Sequence, residues 1–187
     1  MTRIFLTLAL FSVGLLATTL ILGLSIGDLH DVEDTESLRW FRVHFLFGLA
    51  AALSVVFVNS IAVTYFIGTS RWCKEVVQTY GLDVQLARQS YELKRHTFFW
   101  AVIGMLTVVG VIALGAASDP ATGRPTAPDW AIYHLAGALA GVAVVVFTYT
   151  VAWNNIASNH QVIRNILEQV RDIRTERGLD VDQPVAT

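Results

Sequence analysis

Apolar residues fall into four long blocks, 4–26, 41–67, 98–117 and 130–153, separated by polar stretches of very different charge. Each block is near or above the roughly 20 residues that a helix needs to cross about 30 Å of hydrocarbon. Backbone amides in lipid must be satisfied within their own segment, so runs of this length predict helices, whereas a β-barrel would need alternating segments about half as long. The first block follows Arg3 much as a signal-peptide core would, but it is longer than such a core and is read as a true span. The expected fold is an all-α membrane protein, a four-transmembrane-helix bundle.

Past the spans the pattern becomes amphipathic. Ile163, Ile166, Leu167, Val170 and Ile173 recur at three- and four-residue spacing among Arg164, Glu168, Arg171, Asp172 and Arg174. This predicts that the fourth helix runs on to about Arg177 and ends at Gly178. Val76, Val77 and Tyr80 prolong the second helix toward Gly81 and are expected to pack against Ile163, Leu167 and Val170. The bundle is thus expected to carry helices extended into the cytoplasm.

The two halves repeat one another. Aligning Trp40 with Trp130 also aligns His44 with His134 and Phe57 with Phe147, and Gly-Leu-Asp-Val occurs at both 81–84 and 178–181. The organisation this implies is a duplicated helical hairpin, each copy followed by a cytoplasmic helix: 1–96, then 97–181, then a tail over 182–187. Each half holds two spans, so the copies share one orientation and are related by an axis along the membrane normal.

Composition agrees with the pattern and narrows the function. Hydrophobic residues are 54% of the 187 and charged residues 15%, with a net charge of −2. The 68–96 segment holds Arg71, Lys74, Arg88, Lys94 and Arg95 and the tail Arg164, Arg171, Arg174 and Arg177, while 118–129 holds only Arg124. Basic residues collect on the cytoplasmic side, so both termini are expected there, in a bacterial inner membrane. The basic residues sit at membrane ends and the net charge is near zero, which excludes a nucleic-acid partner; the lipid bilayer is the expected surrounding. Cys73 is the single cysteine, so no internal disulfide can form, and it reads as a buried thiol ahead of an acylated one.

The candidate chemistry lies in the repeat Trp40-x-x-x-His44 and Trp130-x-x-x-His134, which sets two imidazoles at one depth, a turn below an interfacial tryptophan. At about 100° per residue, Gly48, Ala51, Val55 and Asn59 follow on or near the face of His44, and Gly137, Gly141 and Val145 on that of His134. A pair of imidazoles above a small-residue surface is a ligand set for one b-type haem, with Arg39 and Arg42 at the height of its propionates. The same glycines serve close helix packing with no cofactor, and that alternative stands beside the first. Zinc or copper would want further ligands; Met105 falls near mid-membrane, and His30 lies in an outer loop with Asp28, Asp31, Glu33 and Asp34. His96 and His160 read as interface residues. A second polar set, Asn59, Thr64, Tyr65, Thr148, Tyr149, Asn154 and Asn155, reads first as interhelical hydrogen bonding and second as a quinone pocket or polar conduit. No Asp, Glu or Lys lies deep in a span, which counts against a proton relay or an ion-coupled carrier. No phosphate loop, Ser-His-Asp order or zinc-protease motif occurs.

Four spans with a histidine pair resemble the small four-helix membrane cytochromes b. That resemblance implies haem between helices and electron transfer between quinone and an outer, periplasmic acceptor. Those proteins commonly carry two histidine pairs where this chain has one. The stretch from Tyr65 to Trp72 (Tyr-Phe-Ile-Gly-Thr-Ser-Arg-Trp) is similar to a segment of uncharacterised bacterial membrane proteins. The expectation is an integral membrane haem b protein taking part in electron transfer near the outer face, held by His44 and His134. The alternatives are a cofactor-free subunit or scaffold, in a homo-oligomer or larger membrane complex, and, third, a channel or carrier.

Overall fold

The structure, a computed structural model, describes residues 1–26 and 35–179. His30 with its acidic neighbours, the end of the second Gly-Leu-Asp-Val and the 182–187 tail lie outside the described residues. Four long helices make up the fold: α1 (Thr2–Leu24), α2 (Thr35–Tyr80), α3 (Val84–Ser118) and α4 (Ala127–Glu176), with one 3₁₀ turn at Pro120–Thr122 before α4. All four are long and apolar enough to cross a membrane, and no strand occurs among the described residues. Neighbours in the chain pack side by side, α1 closes against α4, and α2 and α4 also touch across the centre.

Helix length separates two ends of the bundle. At 1.5 Å per residue, α1 is about 34 Å long and fits one membrane thickness, whereas α2 and α4 reach about 69 and 75 Å. The excess of α2, α3 and α4 gathers at one end around Cys73, Val77, Leu86, Val162 and Ile166. Val76, Ile163 and Val170 pack against this cluster as the periodicity predicts, but Leu167 is 50% exposed and Ile166 takes the central place. The correction is angular: one residue along a helix is about 100° of rotation, and the buried face of α4 passes through Val162 and Ile166. Burial pushes the Cys73 thiol pKa up, so the thiol stays protonated and inert.

The repeated tetrapeptide has a local physical role. Gly81 has φ +67°, and Leu82 N–H donates back to the Val77 carbonyl at 3.0 Å, the bond that ends a helix in a Schellman turn. Gly178 has φ +66°, and Leu179 N–H reaches the Arg174 carbonyl at 2.9 Å in the same way. In the first copy the next residue, Asp83, caps α3 by accepting from Gln85 N–H at 2.9 Å. Gly-Leu-Asp thus stops one helix and starts another.

The buried faces of the two hairpins correspond as well. Adding 90 to Ala51, Val55, Val58, Asn59, Ala62 and Phe66 of α2 gives Gly141, Val145, Thr148, Tyr149, Ala152 and Ile156 of α4, and every one of these positions is buried. Adding 92 to Phe5, Ala9 and Ser12 of α1 gives Thr97, Ala101 and Gly104 of α3, also all buried.

Candidate functional site

His44 and His134 meet at the end of the bundle opposite the extended helices. Their ring centroids are 6.2 Å apart with an interplanar angle of 83°. Each enters from one of the two centrally touching helices, and each ring lies on a glycine of the preceding helix. A Cβ on Gly23 would stand 2.9 Å from His44 Cε1, and one on Gly115 would stand 3.0 Å from His134 Cε1. Any side chain at either glycine would push the ring off its seat.

The polar contacts of the two rings differ. His44 Nδ1 is 3.0 Å from the Thr19 carbonyl. A carbonyl only accepts, so Nδ1 carries the proton and Nε2 of the neutral ring keeps its lone pair, the usual arrangement for a metal-ligating histidine. The equivalent carbonyl at the other ring belongs to Val111, which faces His134, but buried Nδ1 forms no hydrogen bond of normal geometry.

The donor set can be tested against a shared metal by distance. With metal–nitrogen bonds of about 2 Å and a nitrogen about 1 Å from its ring centroid, two imidazoles on one metal have centroids about 6 Å apart. The pair meets that spacing, and at 83° the two rings stand nearly perpendicular in a T-shaped, edge-on contact. Among the described residues no group of three or more His, Cys, Asp or Glu is placed to hold a metal.

The glycines named as a slot below the histidines face side chains of the neighbouring helix. A Cβ on Gly137 would meet Leu114 Cδ1 at 2.5 Å, one on Gly141 would meet Val111 Cγ2 at 2.9 Å, and one on Gly48 would meet Thr19 Cγ2 at 3.6 Å. Three, four or seven positions from its histidine, each lies on the histidine's own face and seats a side chain of the same neighbouring helix that carries the glycine under the ring. Arg39 and Arg42 are exposed within about a turn of His44. Trp40 and Trp130 are partly exposed one turn above each ring.

Sequence reasoning missed Thr19, Gly23 and Gly115. A signal was present: Leu22-Gly23 and Leu114-Gly115 repeat at the offset of 92 that relates α1 to α3.

The second polar set is mostly interhelical. Tyr149 and Ser12 share a hydrogen bond at 2.9 Å, joining α4 to α1, and Asn155 bonds to Thr97 at 2.9 Å and to the His96 ring at 3.1 Å, joining α4 to α3. Trp100 Nε1 donates to His96 Nε2 at 3.1 Å, tying the ring to the next turn of α3 while Asn155 Nδ2 donates to Thr97 Oγ1. Asn159 joins three helices. Its oxygen accepts from Ser90 at 2.8 Å, and its nitrogen donates to Tyr65 at 3.2 Å and Thr69 at 3.0 Å. Thr64 and Tyr65 also line an open, largely apolar groove of about 610 Å³ along α2 that includes neither His44 nor His134. Asn154 and His160 are exposed. Compared with known proteins, the chain matches no family model, no curated protein and no solved structure.

Proposed function

We propose that this chain is an integral membrane haem protein, with His44 and His134 the axial ligands of one b-type haem, taking part in electron transfer at the histidine end of the bundle. The observation that carries this reading is the pair itself: imidazoles from two facing helices at a centroid spacing of 6.2 Å, one with Nδ1 engaged so that Nε2 points its lone pair elsewhere. Reversible one-electron transfer is the chemistry that a bis-imidazole haem supplies. The protein's part is to hold the two rings against Gly23 and Gly115, to exclude water with the surrounding helices and to offer Arg39 and Arg42 to carboxylates at the membrane surface.

The orientation that goes with this function puts the basic, extended end in the cytoplasm and the histidines near the outer face of a bacterial inner membrane. The matched offsets support a duplicated hairpin, in which each copy contributes one glycine seat and one ligand. An outer-face redox partner or quinone would exchange electrons at that end.

A second reading has its own observation. The faces of Gly48, Gly137 and Gly141 are filled by Thr19, Leu114, Val111 and Thr107, as expected for close packing in a cofactor-free subunit or scaffold. The absorption spectrum decides. The haem reading expects protein purified from haem-replete cells to show a Soret band and the sharp reduced bands of a six-coordinate low-spin haem. His44 and His134 alanine variants should lose that low-spin spectrum, while His96→Ala and His160→Ala keep it. Colourless protein that takes up no added haemin leaves the packing reading.

A further inference from the structure

A second groove, between α2 and α3, lies where the extended end meets the membrane and holds about 310 Å³. Val63, Phe66, Ile67 and Phe98 form its apolar wall, and Tyr91, Lys94 and Arg95 of α3 stand at its rim. Depth along the helices gives each group its surroundings. Ile67 closes the second apolar block and Phe98 opens the third, so the wall ends with the hydrocarbon. At 1.5 Å per residue Lys94 and Arg95 lie about 4–6 Å beyond Phe98, within a headgroup layer roughly 5–8 Å thick. The two cations also differ from their neighbours in pairing. Arg71 and Arg88 are held by Glu75 and Glu92 at 2.8 and 3.0 Å, whereas Lys94 and Arg95 have no carboxylate partner among the described residues. Lys94 Nζ lies instead over the Tyr91 ring, 4.6 Å from its centroid, a contact that holds the ammonium at the rim and leaves its charge uncompensated.

We infer that this groove seats one anionic glycerophospholipid of the adjoining leaflet, its phosphate between Lys94 and Arg95 and one acyl chain along Val63, Phe66, Ile67 and Phe98. Charge complementarity selects the occupant, since basic pockets between spans suit anionic headgroups and guanidinium and ammonium groups both pair with phosphate. A zwitterionic lipid brings its own cation to the rim, a neutral quinone leaves both cations without a counter-charge, and a soluble anion leaves the apolar wall uncovered. The site goes beyond the haem reading and stands without it, because the histidines are at the other end of the bundle.

The experiment is native mass spectrometry of the full-length protein in neutral detergent, given equal amounts of dioleoyl phosphatidylglycerol and dioleoyl phosphatidylcholine, which share their acyl chains. One phosphatidylglycerol per chain should be retained in preference to phosphatidylcholine. A cation beside an anionic headgroup contributes about fivefold in affinity, so Lys94→Gln and Arg95→Gln should each lower the preference about fivefold and the double variant should abolish it. Arg71→Gln and Arg88→Gln, which remove paired charges outside the groove, should leave it unchanged. Ile67→Trp narrows the groove with both cations in place and should lose the bound lipid. Equal retention of the two lipids, a loss as large in Arg71→Gln, or a preference that survives in Ile67→Trp overturns the site and leaves diffuse attraction to a basic surface. Displacement by excess inorganic phosphate overturns the lipid as occupant, and so does a lipid-free dimer that Ile67→Trp splits, which makes the occupant a second copy of this chain. Ile67 is exposed, and if its variant fails to accumulate the glutamine variants still decide.

Discussion

Asn159 offers a sharp test of how the extended end is held together. It is fully buried and accepts one hydrogen bond from α3 while donating two to α2, so its amide is satisfied on both sides. Truncation by Asn159→Ala removes all three bonds. Thr69 keeps a second partner, the Tyr65 carbonyl at 2.9 Å, and Tyr65 is only partly buried, so their losses are softened. Ser90 is fully buried and loses its oxygen acceptor, leaving only the weakly accepting Cys73 sulfur beside its hydroxyl. At about 0.5–1.5 kcal/mol net per neutral bond, and more for a polar group left stranded, the change should destabilise the protein by about 2–4 kcal/mol. For a chain of this size that is on the order of 10 °C in unfolding midpoint. The assay is thermal unfolding in detergent followed by the fluorescence of Trp72, which packs against the same cluster. Asn154→Ala is the control, since that side chain is exposed and should change the midpoint little. Equal shifts for the two variants, or none for Asn159→Ala, would refute the three-helix clasp.

Ile166→Ala should cost about 2–5 kcal/mol through the cavity it leaves, while Leu167→Ala, half exposed, should cost under about 0.5 kcal/mol; the same unfolding assay separates them. Gly115→Ala should destabilise the protein, because its Cβ would meet His134 at 3.0 Å, whereas Gly14→Ala, with open space around it, should be neutral or stabilising by up to about 1 kcal/mol. Cysteines placed at the exposed positions Thr122 and Gln85 should react with an impermeant thiol reagent from opposite sides of the membrane, Thr122 from outside. The native Cys73, buried and held protonated, should stay silent in that experiment, and labelling of both engineered sites from one side would undo the topology.

Sequence legibility followed length scale. Spans of 20 or more apolar residues are set by the dielectric of the bilayer, so all four spans and the extensions of α2 and α4 could be read directly, whereas the start of α3 at Val84, ahead of the span at 98, could not. Face assignments one residue apart could not: Ile166 and Leu167 satisfy the same period within error, and only packing distinguishes them. The histidine pair was legible because it repeats, and repetition fixes height. The glycines under the rings were not singled out, because they lie on the preceding helix and nothing in α2 or α4 points to them. Gly137 and Gly141 stayed ambiguous for the complementary reason: small residues on a ligand's own helix fit a cofactor slot and a neighbouring helix equally well. The polar set split on contact, with Tyr149 and Asn155 bonded between helices while Asn154 faces outward.

The two chemically interesting parts of the bundle lie a membrane apart, and this constrains the function. From His44 to Tyr65, at the α2 groove, α2 rises about 30 Å, the thickness of the hydrocarbon core. A quinone seated in that groove would face a haem across the whole bilayer with no second histidine pair between them. The helix interior along that path is packed, with Val55, Val58, Ala62 and Phe66 around the buried Asn59, Thr148 and Tyr149. On the haem reading proposed above, electron entry and exit would both take place at the histidine end, and the hydrogen-bonded extension at the other end has a different task. Asn159, the Schellman stops at Gly81 and Gly178 and the Cys73 cluster all act on helix register there. Register matters at the far end because α2 and α4 run unbroken between the two. A slip of one residue in α4 would turn His134 by about 100° away from His44. The extended end thus fixes the register of the helices that carry the two imidazoles, while Gly23 and Gly115 seat the rings themselves.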